Sequence, residues 1–369
     1  MPALSDSLHR EAAVSPLLTQ GVAATPMAYV QAIVQAFARR GRSPATALAS
    51  AQITPDLLRQ TGARVTAAQF EALSAAAMQQ LDDEGLGWFS RPLPWGSYGL
   101  LARASLSAPT LGVALKRWCR HHGLLTDDLT LAVLTQGDGA CITLTEHRPP
   151  GGPQGGNALR EFCHVSVLRN IHGLACWFVD SRIPLRDASF GFAAPPHASA
   201  YRVLFDGPTH FDAGQTAIRF DARYLDLPVQ RDEAAMNQML QRALPIQVRP
   251  YRRDRLLVQR VRQLLLTRPQ HTRNAEDLAV LLHTSARSLH RQLQQEGATL
   301  QALKDEVRRE RAMNLLQRSG RPVKQVAEAA GFLNEKSFIR AFKAWTGLTP
   351  GEWRAARDDA STPPTNETP

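Results

Sequence analysis

Two clusters of polar and basic side chains near the carboxyl end of the chain have the chemistry needed to contact nucleic acid. One cluster contains Ser285, Arg287, His290 and Arg291, and the other contains Asn334, Glu335, Lys336, Ser337 and Arg340. Side chains of these types bind base edges and phosphates in a major groove. Leu289 and Leu293 are spaced four apart beside the first cluster, as are Phe338 and Phe342 beside the second. We therefore predict two amphipathic helices that turn these polar side chains outward, towards DNA.

The helices that position these side chains belong to a unit that occurs twice. Corresponding residues are separated by 48, 49, 49, 49 and 50 positions, namely Ala279 and Ala327, Leu289 and Phe338, Arg291 and Arg340, Leu293 and Phe342, and Gly297 and Gly347. A repeat of two short helices joined by a tight turn indicates a helix-turn-helix. Residues 299–318, between the units, predict one continuous helix about 30 Å long. We expect this spacing to suit successive major grooves, which lie about 34 Å apart. Ser285 and Asn334 would begin the second helices, whose N-termini suit phosphates.

This region resembles the DNA-binding domain of the AraC/XylS family of bacterial transcription regulators. The resemblance rests on Leu278, Ala279, Ser285, Leu289, Arg291, Gly297, Arg308, Ala312, Leu315, Leu316, Val326, Ala327, Gly331, Phe332, Ser337, Phe338, Arg340, Phe342, Lys343, Gly347, Thr349, Pro350, Trp353 and Arg354. The sequence departs from the family pattern at Thr284, where an apolar residue is usual. Residues 190–228 resemble, more weakly, the N-terminal domain of the ornithine-utilisation and virulence regulators within that family. The resemblance implies promoter DNA, RNA polymerase, a small-molecule effector and a second copy of the chain as partners.

Charge supports a nucleic-acid partner for the carboxyl-terminal region. The chain has a net charge of +10. Residues 249–357 contain 22 Lys or Arg and 10 Asp or Glu, which gives +12 and leaves −2 for the rest of the chain. A basic block on an otherwise nearly neutral protein is the electrostatic signature of a polyanionic partner.

The amino-terminal half predicts an α+β domain with an antiparallel sheet. Helices are expected first, with Thr25 capping one that begins at Pro26. Residues 129–136 and 140–147 flank Gly137-Asp138-Gly139 and predict a β-hairpin. Residues 158–179 predict an amphipathic helix, residues 189–195 a strand, and residues 210–225 a second hairpin-like pair.

Catalysis and ligand binding are the two chemical alternatives for this half. Glu161 and His164 are spaced for acid–base work on one helix, but a salt-bridged helix face explains them more simply. No nucleophile or phosphate-binding motif accompanies them, so we expect no enzyme, cofactor or metal. An effector pocket is better supported, and its candidate residues are Trp95, Tyr98, Trp118, His164 and Arg169. Their cations make a carboxylate one candidate effector. The adjacent His121 and His122 are expected at the surface.

Five segments follow from these patterns. We predict a flexible arm (1–24), an effector-binding and dimerisation domain (25–228), a linker broken by Pro245 and Pro250 (229–250), the DNA-binding domain (251–357) and a disordered tail (358–369). The four cysteines form no metal motif and predict free thiols. Without a signal peptide or membrane span, the protein is expected in the cytoplasm.

We therefore predict a sequence-specific DNA-binding transcription regulator, an activator controlled by an effector, acting as a homodimer. The alternatives are an enzyme domain fused to a DNA-binding module and a DNA-binding protein that needs no effector.

Overall fold

The computed structural model describes residues 18–19, 22–241, 254–272, 274–332 and 334–360, with side chains described as far as residue 355 at the carboxyl end. The chain divides into two compact units, Met1–Asp254 and Arg255–Pro369. Pro245 and Pro250, which we expected to break the linker, lie outside the described residues, as do residues 1–17 of the predicted arm and residues 361–369 of the predicted tail.

The first unit combines nine described helices with seven strands. Its helices are α1 (Met27–Arg39), α2 (Ala45–Ser50), α3 (Pro55–Leu58), α4 (Ala67–Leu81), α5 (Ser97–Leu106), α6 (Leu111–Leu125), α7 (Gly156–Phe178), α8 (Tyr201–Leu204) and α9 (Glu233–Gln241). Its strands are β1 (Ala23–Pro26), β2 (Arg64–Thr66), β3 (Leu129–Gln136), β4 (Gly139–Glu146), β5 (Leu185–Ser189), β6 (Thr209–His210) and β7 (Thr216–Asp221). The predicted α+β class is confirmed.

The larger sheet has the strand order β3-β4-β7-β5-β6. Strands β3 and β4 form the predicted hairpin, and the pairing of Gln136 with Gly139 leaves a two-residue turn. The second predicted hairpin is wrong, because β7 pairs antiparallel with both β4 and β5 while β6 pairs with β5 in parallel. The strand predicted at 189–195 ends at Ser189 instead. The alternating Phe190 and Phe192 enter an aromatic cluster, where their rings lie 5.0 Å apart.

The start of the first unit differs from the prediction. Strand β1 pairs antiparallel with β2, so Ala23 and Ala24, at the end of the predicted arm, are in a strand. Thr25 also lies in that strand, and helix α1 begins without a capping hydrogen bond from a side chain. The backbone N–H of Met27 donates to the carbonyl oxygen of Ala63 instead, at 3.0 Å, so pairing with β2 fixes this end of the helix.

Helix α7 is buried on nearly all sides rather than amphipathic. Fifteen of its 23 residues are buried, including Glu161 and His164. A helix buried all round has no solvent-facing stripe, which is why its few polar positions do not mark a surface.

The second unit consists of seven described helices. These are α10 (Leu256–Thr267), α11 (Ala275–Leu281), α12 (Ala286–Gln295), α13 (Leu300–Arg318), α14 (Val323–Ala329), α15 (Glu335–Thr346) and α16 (Pro350–Ala360). Helix α16 therefore includes residues 358–360, the start of the predicted tail. The unit contains two separate apolar cores. Helix α13 contributes Leu303 and Val307 to the first core and Ala312 and Leu316 to the second, so it connects them as a continuous rod.

Candidate nucleic-acid interface and ligand cavity

The two helix pairs in the second unit repeat each other hydrogen bond for hydrogen bond at their turns. In the first pair, the N–H of Thr284 donates to the carbonyl oxygen of Ala279 at 2.9 Å; in the second, Phe332 donates to Ala327 at 2.9 Å. The residue before each donor has positive φ, 52° at His283 and 87° at Gly331. The turn is therefore the same structure at an offset of 48 residues, as the sequence repeat predicts.

The second helix of each pair begins with a side-chain cap. The hydroxyl oxygen of Ser285 accepts from the N–H of Ser288 at 3.1 Å, and Oδ1 of Asn334 accepts from the N–H of Ser337 at 2.8 Å. These are the N-caps of α12 and α15, three residues before the satisfied N–H in each case. The caps fix where the predicted recognition helices start and which side chains face outward.

Apolar anchors hold the inner face of each of these helices. Leu289 and Leu293 of α12, and Phe338 and Phe342 of α15, have exposed fractions of 0%. The opposite faces carry the side chains predicted to contact DNA. Of these, Ser285, Arg287, His290, Arg291, Asn334, Lys336 and Arg340 are exposed, while Glu335 and Ser337 are half-buried.

The guanidinium groups on these outer faces are available for a partner. No hydrogen bond or ion pair joins Arg287, Arg291 or Arg340 to any other described residue. Elsewhere in the same unit Arg262 is bonded to Glu310, and the guanidinium of Arg308 lies 5.4 Å from the ring centre of Phe332. Arginines that hold this unit together are thus distinct from those on the outer faces.

The first unit contains a cavity of about 650 Å³ between helices α4, α5, α6, α7 and α9. Pockets of this size hold small organic molecules. Most of its wall is apolar and aromatic, and its polar members are Glu71, Gln79, Glu84, Ser97, Arg103, His122, Asn170 and Gln241.

Three of the five predicted effector residues line this cavity. Trp95, Tyr98 and Trp118 are on its wall, and the Tyr98 and Trp118 rings meet edge to face with centres 5.2 Å apart. The other two, His164 and Arg169, are not among the described residues that line it. Nε2 of His164 lies 2.9 Å from Oε2 of Glu146, and the guanidinium of Arg169 donates to the carbonyl oxygen of Leu204.

Sequence reasoning missed Trp88, Phe89 and His122 as members of the cavity wall. The expectation of a surface position was wrong for His122, which is only 6% exposed and lies against Phe89. Burial lowers the pKa of His122 to about 4 and keeps the ring neutral near pH 7. The missed signal is its position four residues after Trp118, on the same face of α6.

Three consecutive acidic residues, Asp82 to Glu84, fix the aromatic segment that forms one wall. Asp83 accepts hydrogen bonds from the N–H groups of Gly85 and Leu93, both at 3.0 Å. Glu84 accepts from the N–H of Gly96 at 2.7 Å and of Tyr98 at 2.6 Å, at the start of α5. Burial raises the pKa of Glu84, while the same backbone donors oppose that rise.

Glu161 and His164, which we considered for acid–base work but expected in salt bridges, bond to separate partners in the structure. Oε1 of Glu161 accepts from the hydroxyls of Tyr29 at 3.1 Å and Tyr201 at 2.8 Å, and lies 2.7 Å from Nε2 of His197. His164 is bonded to Glu146 instead. Glu161 therefore connects α1, α7 and α8 through hydrogen bonds. Burial at this site raises the pKa of Tyr29.

Among the described residues, no group of three or more His, Cys, Asp or Glu side chains is placed to hold a metal ion. No helix in the described part of the chain is long and apolar enough to cross a lipid bilayer.

Both units match known protein families. Residues 41–229 match the arabinose-binding domain found at the N-terminus of AraC transcription regulators, and residues 278–356 match a helix-turn-helix domain. The ornithine utilization regulator of Pseudomonas aeruginosa is 29% identical over 334 residues, covering 90% of this chain and 96% of that protein. The transcriptional regulator VirS of Mycobacterium tuberculosis is 26% identical over 327 residues, covering 85% and 92%. RclR of Escherichia coli, an RCS-specific transcriptional activator, is 35% identical over 93 residues, covering 25% and 33%.

The paired helix-turn-helix units and the matched domains define a DNA-binding transcription regulator with an N-terminal ligand domain. The chain belongs to the AraC family of transcription regulators. The relatives named above are transcription regulators and not enzymes. They support the expectation that this chain is not an enzyme.

Proposed function

We propose that this chain is a transcription activator that binds promoter DNA through α12 and α15 and responds to a small molecule held in the cavity. The observation that carries the DNA-binding part is the pair of capped helices with unpaired outward arginines, set on one continuous rod. Nineteen residues of helix give α13 a length of about 28 Å by the usual rise. That length suits two helices that enter successive major grooves on one side of a duplex.

The proposed base-reading side chains are Arg287, His290 and Arg291 on α12, and Glu335, Lys336 and Arg340 on α15. Arginine reads guanine by two parallel hydrogen bonds, and lysine and histidine add donors. Ser285, Asn334 and Ser337 lie at or near the helix N-termini, where backbone N–H groups suit phosphate oxygens.

Replacing one outward arginine in each pair tests the DNA-binding proposal. We expect Arg291→Ala and Arg340→Ala each to weaken, by about 1–3 kcal/mol, binding to a promoter site that the wild-type chain protects. The control is Arg120→Ala, an exposed arginine of the first unit that removes the same charge. Binding is measured by gel shift and footprinting at fixed salt. A footprint unchanged in both variants, with the control also unchanged, would contradict the assignment.

The effector part of the proposal rests on the cavity and on the match to a ligand-binding domain. A regulator of ornithine utilisation among the relatives supports small-molecule control in this family. A carboxylate was one candidate effector because His164 and Arg169 were predicted in the pocket. Both engage other groups, which removes the support for that class. Ligand-induced stabilisation of the full chain tests the effector role, and its absence across a chemically varied panel would favour DNA binding without an effector.

Activation, RNA polymerase contact and dimerisation complete the proposal. RclR, one of the relatives, is a transcriptional activator, and this supports activation as the sign of regulation. The expected result is more transcript from the target promoter with purified polymerase, and a mass of two chains by sedimentation. Less transcript on adding the chain would mean that it represses the promoter instead of activating it.

A further inference from the structure

The chemical character of the cavity wall bears on the kind of molecule that it accepts. Three tryptophans and a tyrosine, namely Trp88, Trp95, Trp118 and Tyr98, form much of the wall. Trp88 and Trp118 are each 3% exposed. Aromatic side chains of this kind bury flat apolar groups at small conformational cost.

Cations are scarce on this wall. Of the described lining residues only Arg103 carries a fixed positive charge, whereas Glu71 and Glu84 are both acidic. Arg103 is exposed to solvent and its guanidinium already donates to Oδ1 of Asn237 at 3.2 Å. An exposed ion pair with a ligand is worth little, since water screens it. His122 adds no charge because burial keeps it neutral near pH 7.

The natural anion site at this cavity is already filled. Helix α5 starts on the cavity wall, and the N-terminus of a helix is where protein backbones bind anions. Here the N–H groups of Gly96 and Tyr98 donate to the two oxygens of Glu84. An anionic ligand would have to sit beside this carboxylate, whose pKa burial already raises.

The polar groups still available are neutral ones. Nε1 of Trp88 and Nδ1 of His122 are buried without a hydrogen-bond partner in the described structure. Both belong to residues of the cavity wall, together with the half-buried amide of Asn170. Such groups orient a ligand through a few hydrogen bonds without requiring charge.

We propose that the cavity binds an apolar, largely aromatic molecule that carries no anionic group. This inference rests on the proposed effector function and specifies its ligand class. It replaces the carboxylate that the sequence suggested, because the cations behind that suggestion lie elsewhere and the backbone donors at α5 are occupied by Glu84.

Two fluorescent probes with one ring skeleton test the proposal on the full chain. N-phenylnaphthylamine is uncharged near neutral pH, and anilinonaphthalene sulfonate adds a sulfonate to the same rings. Cavity-filling variants are Ala72→Trp and Ala75→Trp on α4, and either one that keeps the wild-type far-ultraviolet circular dichroism suffices. The matched control is Ala76→Trp, because Ala76 lies on the same helix but is not among the described wall residues. Binding at the cavity is taken as the difference in probe fluorescence between the wild type and a cavity-filled variant.

We expect the uncharged probe to bind at least tenfold more tightly than the sulfonate in this difference measurement. Tighter binding of the sulfonate, lost in the filled variant, would overturn the ligand class while keeping the cavity as the site. If no probe signal differs between the filled variants and the control, both this inference and the effector cavity fail.

Discussion

A single backbone position distinguishes the two turns in the DNA-binding unit. Gly331 has φ of 87° and His283, its counterpart, has φ of 52°. Residues with a Cβ atom pay about 1 kcal/mol or more in this left-handed region, while glycine enters it freely. A Cβ atom at Gly331 would meet only Nε of Arg308, at 3.7 Å, so conformation rather than crowding decides the cost there.

We predict that His283→Gly raises the free energy of unfolding by about 0.5–1 kcal/mol, because the strain at this turn exceeds the added freedom of the unfolded chain. The matched change Gly331→Ala is expected to lower it by about 1 kcal/mol. Urea denaturation of the full chain, followed by amide hydrogen exchange in peptides from the second unit, measures both. A loss of stability in His283→Gly would mean that the histidine side chain contributes more than the strain removes.

His122 makes the stability of the first unit depend on pH. Its pKa falls from 6.5 to about 4 on burial, so between these values the unfolded chain binds the proton and the folded chain does not. The stabilisation is complete above about pH 6.5 and is lost as the pH falls towards 4. From pH 7 to pH 5 this one group should cost about 2 kcal/mol.

The variant His122→Gln should lose that part of the pH dependence, since glutamine does not titrate. Chemical denaturation at pH 7, 6 and 5 compares it with the wild type, and His121→Gln is the control from the adjacent position. The same slope in His122→Gln and the wild type would show that His122 is solvated in the folded chain.

At the scale of elements, α13 sets the spacing and the rotation of the two helix-turn-helix units. Its residues up to Val307 pack in the first core and those from Ala312 pack in the second. Inserting one alanine after Arg309 adds about 1.5 Å but rotates everything beyond by about 100°. We therefore expect each core to stay folded while the joint footprint on promoter DNA is lost.

An insertion of seven alanines at the same place is the informative comparison. It restores the rotation to within about 20° of the original and lengthens the rod by about 10 Å. The measurement is a gel shift on a promoter whose second half-site is moved outward. Partial recovery of binding there would support the view that α13 fixes the spacing of the two units. Full binding by the one-residue insertion would mean that only one unit contacts DNA.

The sequence predicted correctly those elements that depend on interactions between residues near each other in the chain. The two-residue turn at Gly137-Asp138, the Ser285 and Asn334 caps, and the Leu289–Leu293 spacing follow from nearby residues, and the structure has them where expected. The position of β7 between β4 and β5 depends on pairing with distant strands, which no local pattern encodes. The cavity could be predicted only in part, since Val167 and Leu240 reach it through helix packing that sequence spacing does not reveal.

At the scale of the whole molecule, charge is concentrated in the DNA-binding half. The +12 of residues 249–357 against −2 elsewhere predicts binding driven largely by counterion release. For about six to ten phosphate contacts, affinity should fall by roughly 10³- to 10⁵-fold between 50 and 200 mM salt. Fluorescence anisotropy with promoter and random duplexes measures this fall. Affinity that barely changes with salt would contradict two engaged helix-turn-helix units.

Helix α9 is part of the cavity wall and also the last described element before the DNA-binding half begins. It rests on α5, where Leu240 lies close to Gly99, and Leu240 and Gln241 reach the cavity. A molecule bound in this cavity, as we propose, would therefore contact the segment of chain that leads into the DNA-binding half. If the proposed effector changes the affinity for an operator by some factor, thermodynamic linkage requires that the operator change the affinity for the effector by the same factor.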